Sequence, residues 1–487
     1  MSVPIEPFDL LIEGGTVIDG TRAPRFDADV AVRQGRIAAV GDLRDRPAHR
    51  RIDARGRIVA PGFIDAHTHD DVALLAQPDM DFKVSQGVTT VITGNCGISP
   101  APLEPDTPTP APISLAVAAT QHRFGSFTAY LQALRSAPAA LNAAPLLGHT
   151  TLRARCVADL QRAASEAEVA EMRAHVREAL DAGAIGVSTG TYYPPAAAAS
   201  TEEIIEVCRP LSGSGGVYAT HMRDEQDAVL QSLDETFRIG RELGVPVVVS
   251  HHKVTGQANW GRSAETLARI GQAMQCQCVA LDCYPYTAGS TMLHNDPVRL
   301  QGKVLIAHSE PHPQMAGRDL DDIVREWGVD KLEAVRRLQP ASAIYFMMRE
   351  DDVRRILAFE HTMVGSDGIP LGERPHPRLW GSFPRVLGHY SRDVGLFPLE
   401  TAVWKMTGLT ARNFGLAERG RIAEGLAADL VVFDAERVID TATYEDPKRA
   451  AAGIDMVLVN GVAVWEQGLG TGARPGWVLT RPGAKRS

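Results

Sequence analysis

At 487 residues the chain is too long for one small domain and has room for a large domain with an appendage. Its 44% apolar and 22% charged residues match an ordinary soluble globular protein. The net charge of −9, spread along the chain with no basic block, argues against nucleic acid or an anionic membrane surface as a partner.

The stretch Met1 to Leu11 is acidic and lacks the basic and apolar regions of a secretory leader. No apolar run approaches the length needed to cross a bilayer. Six cysteines in a chain of this size are not a disulfide framework, so the expected compartment is the reducing cytoplasm.

In chain order, Asp9–Glu13 and Thr16–Asp19 read as short strands around a Gly14-Gly15 turn. Asp27–Val32, Arg36–Val40 and Arg51–Ala54 continue the pattern. Short strands with frequent turns predict a small β-sandwich or barrel. The C-terminal end repeats it in Ala428–Phe433 and Met456–Gly461. The expected division is 1–60 with 420–487 as a small β-sandwich domain built from both termini, and 61–419 as the catalytic domain.

The middle alternates strand-like runs with helix-like stretches. Pro61-Gly62-Phe63-Ile64-Asp65-Ala66-His67-Thr68-His69 opens it, and side chains two apart on a strand face one side, so both imidazoles share a face. Thr89–Thr93 then leads to Gly94-Asn95-Cys96-Gly97, and Ala144–Leu147 to Gly148-His149. Glu166–Ala182 has helical spacing and good helix formers and precedes the extended Ala184–Ser188. Further runs end at His221, at His251-His252, at Cys283-Tyr284 and at Ser366-Asp367-Gly368. Eight such strand ends predict an α/β fold, a (β/α)8 TIM-like barrel, with polar residues where that fold places its active site. The stretch 287–360 is too long for a simple connection. With helical runs near Asp319–Trp327 and Lys331–Leu338, it reads as a lid-like insertion.

Six ligand-type residues, His67, His69, Cys96, His221, His251 and Asp367, fall on the ends of five strands. Each alone has a structural reading: a buried small thiol, a satisfied core histidine, a turn-shaping aspartate. Their convergence at one barrel mouth is what points to a metal site.

These motifs resemble the amidohydrolase superfamily of metal-dependent hydrolases. Gly94-Asn95-Cys96-Gly97, Ser250-His251-His252-Lys253, Tyr284-Pro285-Tyr286, Gly365-Ser366-Asp367-Gly368 and Pro375-His376-Pro377-Arg378-Leu379-Trp380-Gly381 resemble, more narrowly, the N-acyl-D-amino-acid deacylases (D-aminoacylases). Dihydroorotases and hydantoinases bridge two metals with a carboxylated lysine after the fourth strand; here that end reads Gly186-Val187-Ser188-Thr189-Gly190 and has none. The resemblance implies that the thiolate of Cys96 does the bridging. It further implies one tight Zn²⁺ on Cys96, His221 and His251, a second, weaker position on His67 and His69, and Asp367 beside the metal.

Amide hydrolysis needs an activated water, a polarised carbonyl and a proton for the leaving nitrogen. Zinc supplies the first two, and Asp367 is the expected proton carrier. Lys253 and Arg378 are the family's matching positions for the substrate α-carboxylate, with Tyr284, Tyr192 and Ser290 as further contacts; arginine suits a bidentate clamp. The substrate is a small N-acyl-D-amino acid, cleaved to a carboxylate and the free D-amino acid. Arg299, where apolar-selective relatives place an aliphatic wall, favours N-acyl-D-glutamate. The alternative is that Arg299 faces solvent or pairs with Asp296. Tyr345 and Met348 then line an apolar pocket, and the enzyme is a general D-aminoacylase. A cyclic-amide hydrolase, a deaminase or a non-catalytic metal-binding paralogue are more distant readings. Oligomeric state is not legible.

Overall fold

The structure is a computed structural model that describes residues 6–107, 109–117 and 122–481. The first five residues of the Met1–Leu11 stretch lie outside them.

Strands β1 (Phe8–Val17), β2 (Phe26–Arg33), β3 (Arg36–Gly41), β4 (Ala48–Asp53) and β5 (Ile58–Pro61) open the chain. The predicted Gly14-Gly15 turn is instead a bulge within one strand: β1 runs through both glycines, and its register against β2 shifts between Ile12 and Gly15. Gly14 takes a left-handed φ of 67°, and its N–H donates to Asp29 Oδ1 at 2.8 Å. The extra residue is therefore accommodated without breaking the strand.

The barrel follows. Its strands are β6 (Phe63–Asp65), β7 (Val88–Thr93), β8 (Asn142–Pro145) with β9 (Leu147–Gly148), β10 (Gly186–Gly190), β11 (Val217–His221), β12 (Val247–Val249) and β13 (Val279–Cys283). All pair in parallel. Strands β8 and β9 form one path interrupted at Leu146, the first pairing with β7 and the second with β10. Strands β14 (Ala288–Met292), β15 (Val304–Ser309) and β16 (Ala341–Phe346) make a separate antiparallel sheet with β16 in the middle. Helices Leu320–Trp327 and Lys331–Leu338 pack with that sheet over a small core of their own. Helix Glu350–Ala358 instead packs on barrel helix Ser263–Ala273.

The last barrel strand, β17 (Thr362–Val364), pairs with β13. Closure against β6 is carried by Ala66 N–H to Val364 O and His69 N–H to Gly368 O, both at 3.2 Å. Ile64, Ile92, Ala219, Val248, Ala280 and Met363 belong to one buried cluster that fills the barrel, as a packed core rather than a pore. Outside it, the helix predicted over Glu166–Ala182 has those bounds. Ser165 and Glu168 form a reciprocal capping box, and Gly183 closes the end at φ 118°, the signals that fix a helix at both termini.

Strands β18 (Leu430–Phe433), β19 (Ile454–Val459), β20 (Val462–Glu466) and β21 (Leu469–Gly470) complete a nine-stranded mixed sheet. Antiparallel pairing of β18 with β5 joins the two ends of the chain. Ile12, Val30, Val32, Leu430, Val432 and Leu458 share its core. Between this sheet and the barrel, buried Asp429 ion-pairs with Arg419. The same carboxylate accepts from Asn142 Nδ2 at 3.0 Å and Asn460 N–H at 2.7 Å. No helix among the described residues is long and apolar enough to cross a membrane.

Candidate metal centre and active site

The Pro61–His69 run works as a brace before it works as a donor. Asp65, fully buried, accepts through Oδ1 from the backbone N–H of Ser366 at 2.8 Å and of His67 at 3.3 Å. Its other oxygen receives Lys83 Nζ at 2.7 Å, and Lys83 also donates to Ser366 Oγ at 2.8 Å. One carboxylate thus ties the end of β6 to the loop after β17, and so holds His67 and Asp367 in register.

Cys96 follows β7 in a tight turn. Gly94 has φ 75°, and a Cβ there would lie 1.9 Å from Leu146 O, so only glycine fits. Cys96, His251 and Asp367 are themselves left-handed, at φ 53°, 36° and 49°. Three non-glycine residues in that sparsely populated region, all at one mouth, mark strain held by the surrounding fold.

Cys96 Sγ lies 3.4 Å from His67 Nε2, 3.6 Å from His221 Nδ1 and 3.3 Å from His251 Nε2. Asp367 Oδ1 is 3.6 Å from His67 Nε2 and 3.3 Å from His69 Nε2. The donors fall into two groups that share the thiol: His67, His69, Cys96 and Asp367, and Cys96, His221 and His251. Ligand atoms within each group lie within 4.8 Å of one another.

The chemistry of this set fits a metal. Burial holds His221 and His251 well below the usual histidine range, so both present the neutral imidazole that ligates. Burial, then Asp367, pushes the Cys96 thiol well up, and Lys253 opposes only in part. A buried sulfur facing carboxylates and neutral imidazoles becomes a thiolate where a dication supplies the missing charge. Cysteine and histidine donors, three in one group and joined by a carboxylate as a fourth in the other, suit Zn²⁺. The site is a candidate binuclear zinc centre with Cys96 common to both positions.

A second layer, not foreseen from the sequence, orients these donors. Glu225 Oε1 receives Lys253 Nζ at 2.7 Å and lies 3.3 Å from His251 Nδ1, while its Oε2 is 3.6 Å from His221 Nε2. Asp282 Oδ1 accepts the His251 N–H at 2.9 Å, and Oδ2 sits 3.7 Å from His67 Nδ1. Asp282, directly after Leu281 at a strand end, carried the same positional signal as the ligands. Glu225 had only its i+4 offset from His221.

Arg378 is wholly buried, with Nη1 2.8 Å from Asp367 Oδ2 and Nη2 donating to Ser290 O at 3.0 Å. Among Arg378 and its described neighbours Nε finds no hydrogen-bond partner. Burial would raise the Asp367 carboxyl, but Arg378 holds it well below the usual range. The Tyr284 ring lies between two cations, 4.6 Å from Arg378 Cζ and 5.7 Å from Lys253 Nζ. Its hydroxyl is 4.0 Å from Met348 Sδ.

At the rim, Tyr192 stacks on His221 with centroids 4.7 Å apart, and its hydroxyl meets His294 Nε2 at 3.2 Å. Arg299 Cζ sits 4.0 Å over the outer face of Tyr192, with Nε 3.7 Å from Asp296 Oδ2. Tyr345 Oη donates to Met292 O at 3.0 Å and accepts the His294 N–H at 2.9 Å, so its hydroxyl is committed within the insertion.

A parallel eight-strand barrel with this donor set at its mouth is a metal-dependent hydrolase. Residues 50–465 match the Amidohydrolase family. The chain is 61% identical over 479 residues to the D-aminoacylase of Alcaligenes xylosoxydans xylosoxydans, covering 98% of this chain and 99% of the other. A crystal structure of D-aminoacylase, 62% identical, superposes with a TM-score of 0.96 over 98% of this chain and 100% of that one. The N-acyl-D-glutamate deacylase of Bordetella bronchiseptica, solved with zinc and a phosphonate mimic of the tetrahedral intermediate, is 47% identical with a TM-score of 0.94 over 98% and 100%. The chain belongs to the amidohydrolase family, in its D-aminoacylase or N-acyl-D-amino-acid deacylase branch. It is a metal-dependent enzyme that acts on amides.

Proposed function

We propose that the enzyme hydrolyses N-acyl-D-amino acids with zinc, as a general D-aminoacylase favouring apolar side chains. The observation that carries the chemistry is the thiol of Cys96 shared by two donor groups, with Asp367 reaching into one of them. In this reading Cys96, His221 and His251 hold the tight zinc, and His67 and His69 complete a second position. Zinc bound there would supply Lewis acidity, lowering the pKa of water to near neutrality and polarising the amide carbonyl.

The rest is done by side chains. Asp367, kept ionised by Arg378, takes a proton from the attacking water through a carboxylate oxygen and returns it to the leaving nitrogen. The clamp for the α-carboxylate centres on Arg378, whose buried guanidinium has a donor to spare, with Tyr284 and Ser290 beside it. Lys253 is held by Glu225 and His251 and contributes charge behind that clamp. Within 287–360, the antiparallel sheet and its two helices act as a lid, since His294 and Arg299 close over Tyr192. We keep 1–60 with 420–487 and 61–419 as the proposed domain division.

The sequence favoured N-acyl-D-glutamate because an unpaired pocket cation calls for an anionic substrate. Arg299 is not such a cation. Its charge is shared by Asp296 and the Tyr192 face, and its side chain is 31% exposed. Identity to D-aminoacylase (61%) also exceeds that to the glutamate-specific enzyme (47%). Met348 and the Tyr345 ring then serve as apolar wall. Initial rates on N-acetyl-D-leucine, D-methionine and D-glutamate, with L-enantiomers as controls, test the reading. Comparable turnover of the L-forms, or a clear preference for glutamate, overturns it.

A further inference from the structure

A second set of metal-type donors lies outside the barrel mouth. Cys156 ends the helix His149–Cys156 that follows β9. Glu171 and His175 sit four residues apart on the next helix, Glu166–Ala182, and so share one face. The thiol, carboxylate and imidazole all lie within 4.8 Å of one another. Cys156 and His175 are half-buried and Glu171 is exposed, so the group has an anchored floor and an open side.

We propose that Cys156, Glu171 and His175 form a peripheral binding site for a borderline divalent cation of the zinc class. The donor types are those that select such a cation: a thiol and an imidazole rule against Mg²⁺ and Ca²⁺, which take oxygen ligands. Bonds of about 2.3 Å to sulfur and about 2.0 Å to nitrogen place tetrahedral ligand atoms roughly 3.5 Å apart. The observed spread, at most 4.8 Å, exceeds that by little more than about 1 Å. Ionised thiol and carboxylate supply two negative charges that balance the cation, and solvent fills the remaining position, so the site is exchangeable rather than closed.

The frame is already rigid. Glu168, one turn before, accepts from Ala158 N–H at 3.1 Å and from Arg162 Nη1 at 2.7 Å, pinning the loop between the helices. Arg155, the nearby cation, ion-pairs with Glu104 at 3.1 Å, and its charge still lowers both the Cys156 thiol and the His175 imidazole. Without a cation the thiol is held protonated and bonded to the Glu171 carboxylate: burial, then Glu171, push Cys156 up to about 12. Binding would release that proton to solvent as the metal–sulfur bond forms.

The test uses the zinc-loaded enzyme titrated with Co²⁺. A thiolate-to-cobalt charge-transfer band should appear, together with a rise in melting temperature. Both should be lost in Cys156→Ala and at least strongly weakened in His175→Gln, with turnover unchanged in either variant. No band in the natural chain, or an equal band in both variants, which would place the cobalt on Cys96, overturns the proposal. His175→Gln alters a half-exposed side chain and keeps the test alive should Cys156→Ala fold poorly.

Discussion

Cys96 occupies a place where no ordinary packing residue belongs: a left-handed backbone, full burial and three imidazole nitrogens within 3.6 Å of its sulfur. A side chain that only filled space would not need three other elements to converge on it. Cys96→Ala should therefore lose both bound zinc, measured on the purified protein, and activity. Full zinc with near-normal turnover would reduce the thiol to filling. Asp367→Asn removes the proposed proton carrier but leaves the imidazoles and thiol in place. Zinc content should persist while kcat falls by roughly two orders of magnitude or more, and a kcat near that of the natural enzyme would assign the proton transfer elsewhere. Glu225 is the residue that sequence reading passed over, yet it faces His221, His251 and Lys253 together. Glu225→Gln keeps its shape and drops its charge. Zinc affinity or activity should drop about 10- to 100-fold, as read by competition with a chromophoric chelator and by initial rates; unchanged values would make Glu225 a bystander.

Strand ends were the most readable elements, and the reason is geometric. His67, His69, Cys96, His221, His251 and Asp367 each follow an apolar run, and a parallel barrel brings all such ends to one face. The supporting layer was less readable, because Glu225 and Lys253 meet across loops whose path no periodicity records. The insertion was half-read. Its two helices carry amphipathic spacing and were expected, whereas β14 and β16 pair across about fifty residues, and short strands joined over such a distance leave no local signal. Arg299 belongs to this element, and its surroundings were half-read for the same reason. Its partner Asp296 was visible three residues away, but Tyr192 comes from a different barrel loop. Arg299→Leu should shift kcat/KM on N-acetyl-D-leucine and N-acetyl-D-glutamate alike, within a few-fold. A large loss confined to the glutamate substrate would put the arginine back in the pocket.

Across the whole molecule, the small sheet and the barrel are joined by a polar knot rather than by apolar contact alone. Pairing of the two chain ends was foreseen from their matching strand patterns, but the residues that bind the sheet to the barrel were not, since nothing in Leu-Ala-Ala-Asp marks its aspartate as buried. Asp429 and Arg419 are each only 4% exposed at the side chain. Asn142 of β8 and Asn460 after β19 complete the set, Asn460 Nδ2 donating to Asn142 Oδ1 at 2.9 Å. Replacing such a pair wholesale with apolar residues is often tolerated, but removing one partner leaves the other charge stranded in low dielectric. Asp429→Ala should therefore cost about 3–5 kcal/mol, more than most single substitutions. It also strips the acceptor from the Asn460 N–H and from one Asn142 donor, each a buried group left unsatisfied. Asp429→Asn separates these effects, since it keeps an acceptor and loses the charge. Its cost should fall between those of the natural chain and the alanine variant. Urea unfolding followed by tryptophan fluorescence and by loss of activity reads both numbers, and it also reports whether the two units still unfold together. If Asp429→Ala unfolds within about 0.5 kcal/mol of the natural chain, as a surface change would, the knot is incidental and the sheet is held by its apolar seam.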